Sequence, residues 1–348
     1  MKVAVVAPVW FSAPPATHGG IETIVSMLAA ELVRLGHEVL LYTVGTSTSP
    51  ARVRWLFEQP QERHLWTASH ADIECAHALF AYRDAAEEKV DLVHDSSGRV
   101  GPALGGMLAG PPVLHTIHVA VNEAKQSVYR QLAQLPRVFL STVSHDQTRS
   151  LVDVPVLRVI HHGIDPDRYH FTSDKDDYLA FLGRVSADKG CHLAIEVARR
   201  AGLPLRIAGP QDYTPQGRQF FADEIQPRLG KGIEYVGELG FDRKVDLLAG
   251  ARALLAPVTW REPFALVPIE ALACGTPVVA TPRGGYPELV RDGVDGFLAT
   301  DVDDLAAAAT RVGELDPATC RRRVVDTFSV RVMAQRYLDA YAEIAGAR

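Results

Sequence analysis

Metal-ligand spacing, a disulfide framework and membrane-length apolar runs are all missing from this sequence. Its four cysteines, Cys75, Cys191, Cys274 and Cys320, lie far apart with no C-x-x-C pair. Neither zinc nor thiol redox chemistry is expected, and the thiols read as buried groups in a reducing compartment. No window approaches the roughly 18 uninterrupted apolar residues of a membrane-crossing helix. The amino terminus, "MKVAVVAPVW", meets turn-forming Pro and Gly without a small-residue cleavage site, so it reads as a first strand, not a signal peptide. A cytoplasmic location is expected. Positive charge is also in deficit: 36 Lys and Arg against 42 Asp and Glu give a formal charge of −6, which excludes the global field that nucleic acid or an anionic membrane requires. Any phosphate on a ligand must be met locally. G-x-G-x-x-G and the Walker P-loop are absent too, which argues against nicotinamide-type and P-loop sites.

What is present is a long, ordinary globular composition. The 348 residues, 47% hydrophobic and 22% charged, suggest two domains. Continuous apolar runs at 2–8, 38–44, 90–95, 112–118, 137–143 and 156–163 alternate with helical patterns, as expected of parallel strands covered on both faces. Between the first two, Ile21, Ile24, Val25, Leu28, Leu32 and Leu35 form a helical stripe ending at Gly36. After a polar stretch the pattern restarts with runs at 178–184, 204–209, 233–237, 251–257, 277–281 and 296–300. The expected fold is α/β, two Rossmann-like doubly wound parallel-sheet domains facing a central cleft: residues 1–168, residues 169–327, and a terminal helix, 328–348, crossing back to the first. That helix has Ser329 as its cap and Val332, Met333, Tyr337, Leu338 and Tyr341 on one stripe.

The stretch "REPFALVPIEALACGTPVVA" holds Glu262 and Glu270 with seven residues between them. Pro263 disfavours helix at Glu262, and Pro268 is tolerated only in a first turn, so a helix starting near Ala265 leaves Glu262 in the loop. Even in one helix the two α-carbons would stand about 12 Å apart along the axis and some 80° around it. A retaining glycosidase pair needs its carboxyls only about 5 to 5.5 Å apart. Two handles on one extended ligand fit better than an acid/base dyad.

In "LGRVSADKGCHLAIEVARR", Arg184 ends a strand after Gly183 and Lys189 precedes a helix. A cation at a helix amino terminus opposes the macrodipole by about 0.3 to 1 kcal/mol, and an anionic ligand would remove the conflict. In "THGGIETIVSML", Gly19 and Gly20 open a helix where backbone N–H groups can approach a phosphate or sugar. His118 closes the run 112–118. His94, His115, His161 and His162 are further strand-end histidines without metal spacing. Asp165-Pro166-Asp167 and Asp301-Val302-Asp303 read as loop or capping acids, and no metal is assigned. Residues 52–82, with Trp55, His64, Trp66, His70 and His77, depart from the alternation. Two readings stay open for them, an acceptor pocket or a local cap on the first domain.

Taken together, "GRVSADKG", "EPFALVPIEALACGTPVVA", the Gly-Gly turn, "HTIH", "HHGIDPDRY" and "FSVRVMAQRYLDAY" resemble the retaining glycosyltransferases of the GT-B fold, the large family 4 type with its E-x7-E motif. The resemblance spans nearly the whole chain. It implies a nucleotide-sugar donor, UDP-sugar first by family frequency, and a soluble small-molecule or glycoconjugate acceptor. It also implies front-face transfer with retention, with no metal and no cofactor. Arg184 and Lys189 would hold the pyrophosphate, and Glu270 the ribose. Glu262 and the backbone of Phe264, Ala265 and Leu266 would hold the transferred sugar. His118 would touch that sugar, and Gly20 would let the first domain close over the phosphates. Ala265 stands where the family often has Gly. The alternatives are a nucleotide-sugar epimerase or hydrolase on the same fold, and a non-catalytic two-domain sugar-binding protein. No nucleic-acid partner or membrane association is expected; the oligomeric state is left open.

Overall fold

Apolar runs covered on both faces fold here into two parallel sheets. A computed structural model describes residues 1–346. The first sheet holds β1 (Lys2–Val6), β2 (Glu38–Tyr42), β3 (Arg52–Arg54), β4 (Leu92–Asp95), β5 (Val113–Ile117), β6 (Val138–Thr142) and β7 (Arg158–Val159), in the order β3-β2-β1-β4-β5-β6-β7. The second holds β8 (Leu179–Leu182), β9 (Leu205–Ala208), β10 (Ile233–Gly237), β11 (Ala253–Ala256), β12 (Val278–Ala280) and β13 (Gly296–Leu298), in the order β10-β9-β8-β11-β12-β13. All these neighbours pair in parallel. Each order reverses once, between β1 and β4 and between β8 and β11, and ligands of doubly wound sheets gather beyond the carboxyl ends of the strands at such reversals.

The strands at the two reversals are covered on both faces: Val3 to Val6 in β1 and Leu179 to Phe181 in β8 are at most 2% exposed. The edges depart from the sequence expectation. Of the run 156–163 only Arg158–Val159 is strand, and β3 is an unforeseen edge strand of three residues, half-buried at best.

The chain divides into two units: Met1–Gly163 with the last helix, Val330–Gly346, and Ile164–Ser329. Residues 164–168, grouped by sequence with the first half, lie in the second unit. Ile164 donates its N–H to Phe328 O at 2.8 Å and bridges Ser329, which holds it there. In the first unit the last helix buries Met333, Tyr337 and Tyr341, while Val332 and Leu338 are only half-buried. His94 joins Tyr341 Oη at 2.7 Å and Thr116 Oγ1 at 2.8 Å, and Thr116 continues to Ser141 Oγ at 2.8 Å and Tyr337 Oη at 3.2 Å. Every member of this network is buried, so β4, β5, β6 and the last helix are cross-linked by satisfied polar groups.

Cys191, Cys274 and Cys320 are buried, and burial pushes each thiol up to about 12. Cys75 departs from expectation, being only half-buried on the helix His70–Glu87. No helix among the described residues is long and apolar enough to cross a membrane.

Candidate active site

The reversal point of the second sheet gathers the cationic loop and the paired glutamates. The loop after β8 runs through Gly183, Arg184 and Lys189 to Gly190, which caps the helix Cys191–Ala201. The loop after β11 carries Trp260, Glu262 and Phe264 to Ala265, which caps the helix Leu266–Ala273. Pro268 falls in that helix's first turn, where its missing N–H has no intrahelical carbonyl to lose.

The two loops are bound to each other. The Thr259 N–H donates to Asp188 O at 2.9 Å, and Thr259 Oγ1 donates to Ala187 O at 3.1 Å. At Gly190, φ +76, a Cβ would lie 1.9 Å from Pro257 O, so only glycine lets the loops approach this closely. The Glu262 backbone is gripped from its other side: Gly285 N–H donates to its carbonyl at 2.8 Å, and a Cβ on Gly284, φ +60, would meet that oxygen at 2.1 Å.

This framework places the Lys189 ammonium on Glu262 Oε1. The pair is mostly buried, with side chains 24% and 10% exposed. The Lys189 Nζ also lies 5.4 Å from the Trp260 ring centre. The anion that offsets Lys189 at the helix start is therefore a side chain of the protein. Glu262 Oε2 and Trp260 Nε1 are buried without a hydrogen-bond partner among the described residues, and such orphans point to a ligand that completes them. Arg184, 41% exposed at its side chain, is braced by Asp188 Oδ2 at 3.1 Å and Asp212 Oδ2 at 3.3 Å. Two carboxylates fix the fork while leaving part of it to solvent.

Glu270 has different partners. Its Oε1 accepts from Tyr169 Oη at 3.0 Å and from Lys244 Nζ at 2.6 Å. Burial, then the Glu270 charge, holds the Tyr169 hydroxyl well above its ordinary range, so it stays a donor. Lys244, on the helix Phe241–Gly250, also lies 5.2 Å from the Phe241 ring centre. Among the described residues the two glutamates share no hydrogen-bond partner, and each takes its own lysine. Lys244, Tyr169 and Asp212 were not singled out from the sequence. Their local spacing carries no signal, because the pairings span 26, 101 and 28 residues respectively.

Phe264 and Leu266 are half-buried and Ala265 is 7% exposed, extended at φ −114, ψ 131. Among the described residues, no group of three or more His, Cys, Asp or Glu is placed to hold a metal. Asp301 accepts the Asp304 N–H at 2.9 Å and Asp165 the Asp167 N–H at 3.2 Å, which makes both capping acids.

On the first unit, Gly19, φ +137, caps the helix Gly20–Arg34, and Gly20 is exposed. In that helix's first turn Glu22 is 4% exposed, and burial pushes its carboxyl up to about 7. Sequence reading passed over Glu22. His118 follows β5, with Nδ1 3.4 Å from His162 Nε2 and the rings stacked at 5.1 Å. Desolvation first, then the neighbouring histidines, holds its imidazole well below the ordinary range, so it is neutral near pH 7. Its Nε2 is a buried atom without a partner among the described residues. His94 belongs to the internal network and His115 sits 3.7 Å from Asp95, both buried within the sheet.

Comparison with known proteins agrees in both halves. Residues 18–168 match the family Glycosyltransferase Family 4, and residues 167–323 match Glycosyl transferases group 1. The chain is 31% identical to AviGT4, a glycosyltransferase involved in avilamycin A biosynthesis, covering 100% of this chain and 99% of that one at a TM-score of 0.75. It is 26% identical over 342 residues to the D-inositol 3-phosphate glycosyltransferase of Mycobacterium avium (strain 104), covering 83% of this chain and 79% of that protein. HepE of Anabaena, solved with UDP and glucose, shares the fold at 18% identity and a TM-score of 0.75, covering 99% and 100% of the two chains.

Proposed function

The chain belongs to the group 1 and family 4 glycosyltransferases, and from that premise we propose a retaining transfer of sugar from a UDP-sugar to a hydroxyl of a small-molecule or glycoconjugate acceptor, without a metal ion. The observation that carries this reading is the Lys189–Glu262 pair at the reversal of the second sheet, with Glu262 Oε2 buried and unsatisfied beside it. A sugar hydroxyl is the natural donor to that oxygen. Uridine is the base proposed, by family frequency; HepE, which shares the fold, was solved with UDP and glucose.

In the proposed reaction the bond from the anomeric carbon to the diphosphate breaks, and its electron pair leaves on the phosphate oxygen. Arg184, Lys189 and the N–H groups at the helix starts meet the charge that develops, which is where preorganised donors help most. The acceptor hydroxyl oxygen attacks from the same face, and its proton passes to the departing phosphate oxygen. Retention follows from same-face attack without a covalent enzyme intermediate. Glu270, steadied by Lys244 and Tyr169, accepts from the ribose hydroxyls. The backbone at Phe264, Ala265 and Leu266 holds the sugar. His118, being neutral, offers Nε2 to a sugar hydroxyl as a hydrogen-bonding group, and Gly19 and Gly20 leave backbone N–H groups open to phosphate.

The test begins with melting temperature in the presence of UDP, GDP, ADP and TDP, since a tight ligand stabilises in proportion to RT ln(1 + [L]/Kd). UDP should raise it most, with or without EDTA. A UDP-sugar screen with anomeric configuration read by NMR follows. An inverted product, or loss of the melting shift in EDTA, would overturn the corresponding part of the reading.

A further inference from the structure

One built feature of the first unit takes no part in the function proposed above. Beyond the carboxyl end of β1, Trp10 stacks on His70 with ring centres 4.4 Å apart and planes at 21°. His70 stacks in turn with Trp66, at 5.4 Å and 14°. Trp10 is 9% exposed and Trp66 73%, so the stack leads from the interior to an indole open to solvent. Trp66 also has φ +64, a left-handed backbone that is a genuine outlier for a bulky residue and that clusters at functional sites.

The backing is fixed on several sides. The Trp66 N–H donates to His70 Nδ1 at 3.3 Å, and His70 opens the helix His70–Glu87. The Gln61 N–H donates to Val9 O at 2.9 Å, pinning the turn Glu62–His64 to the segment that follows β1. A large ring held in water by a strained backbone does nothing for folding, because exposed apolar area is unfavourable.

The rim of this plate is polar. Glu62 and Arg63 are exposed; Arg63 Nε donates to His64 Nε2 at 3.0 Å, and Glu62 Oε1 lies 4.0 Å from His18 Nε2, next to the glycine turn. A flat apolar face edged with donors and acceptors suits a pyranose ring, whose C–H face lies on the indole while its hydroxyls reach the rim. A lipid chain requires a contiguous apolar surface, which the flanking Arg63, His64, Thr67 and Ser69 do not supply.

We propose that Trp66 is the stacking platform of an acceptor subsite, and that the acceptor carries a pyranose ring. The proposal rests on the transferase reading. Ligands gather at the carboxyl ends of parallel strands, and the stack on Trp66 stands beyond that end of β1, in the unit that does not carry Arg184, Lys189 and Glu262.

The test uses the full chain titrated with methyl hexopyranosides and disaccharides, followed by isothermal titration calorimetry, whose signal does not depend on the indole that is replaced. A parallel arm measures the melting shift with UDP. Trp66→Gly is the key variant, because glycine accepts φ +64 and keeps the loop free of strain. Saturable sugar binding should weaken at least about tenfold in Trp66→Gly, with partial rescue in Trp66→Phe. The UDP shift should be unchanged in both. Binding that survives Trp66→Gly, or a wild-type chain that responds to simple phenols but to none of the sugars, would overturn the acceptor assignment alone. Failure of UDP to stabilise the wild type would overturn the transferase site instead.

Discussion

Lys189 and Glu262 form an ion pair that joins the loop after β8 to the loop after β11. Either partner removed alone leaves a mostly buried charge uncompensated, which costs more than the pair itself is worth. Lys189→Met and Glu262→Gln should each lower kcat/KM by roughly a hundredfold or more, equivalent to about 3 kcal/mol of transition-state stabilisation. Groups acting as a unit are not additive, so the double variant should lie close to the worse single variant. A complete double-mutant cycle measures this; wild-type-like turnover in both single variants would remove the pair from the proposed site.

Glu270 is held by Lys244 and Tyr169 through one oxygen. Lys244→Met deletes the charge-assisted partner and leaves the phenol. UDP affinity, measured by calorimetry, should fall about tenfold, the size expected of one charge-assisted hydrogen bond, while the sugar-transfer step keeps its rate at saturating donor. Loss of kcat with unchanged UDP affinity would place Glu270 near the reacting carbon rather than the ribose.

The strands were legible because continuous apolar runs in parallel sheets announce themselves. β3 escaped because Arg52-Val53-Arg54 has one apolar residue and sits at an edge. Pro263 and Pro268 bracketed the start of the helix Leu266–Ala273 to within one residue. Arg184, Lys189, Glu262 and Glu270 could be read from types and spacing within short stretches. Lys244 and Tyr169 could not, since what assigns them is the packing of a distant helix and a distant loop on Glu270. The ring stack on Trp66 was visible only as composition; its order and exposure are tertiary facts.

Gly190 and Gly284 hold the loops in register by tolerating contacts that no other residue can. Gly190→Ala would drive a methyl into Pro257 O and Gly284→Ala into Glu262 O, both at positive φ. Each should destabilise by about 2 to 4 kcal/mol, and activity should fall further than stability does, because the displaced backbone carries Lys189 or Glu262. Gly293→Ala is the control: φ is +72 but the added methyl meets open space. It should cost only about 1 kcal/mol of backbone strain. Chemical denaturation at constant m-value separates the three.

The buried histidines of the first unit make its stability acid-sensitive. Desolvation lowers His77 to about 4 and His94 and His162 to about 3, and holds His118 well below its ordinary range. In the unfolded chain each takes a proton near 6.5, so the unfolded state binds more protons below that pH and stability falls as pH falls. Each contributes up to about 1.4 kcal/mol per pH unit between 6.5 and its folded value. Glu22 acts in the opposite sense: raised from 4.5 to about 7, its folded form holds the extra proton, and stability from this group falls as pH rises through that window. The histidines outnumber the raised carboxyls Glu22 and Glu74, so the net effect of acidification below pH 6.5 is a loss of stability. Denaturant unfolding measured from pH 7.5 to 5 should show it. His94→Gln should lower the slope by about one proton, and Glu22→Gln should steepen it by about one. A slope unmoved by His94→Gln would mean that His94 is already protonated in the fold, and that the Tyr341 and Thr116 hydroxyls both accept from it.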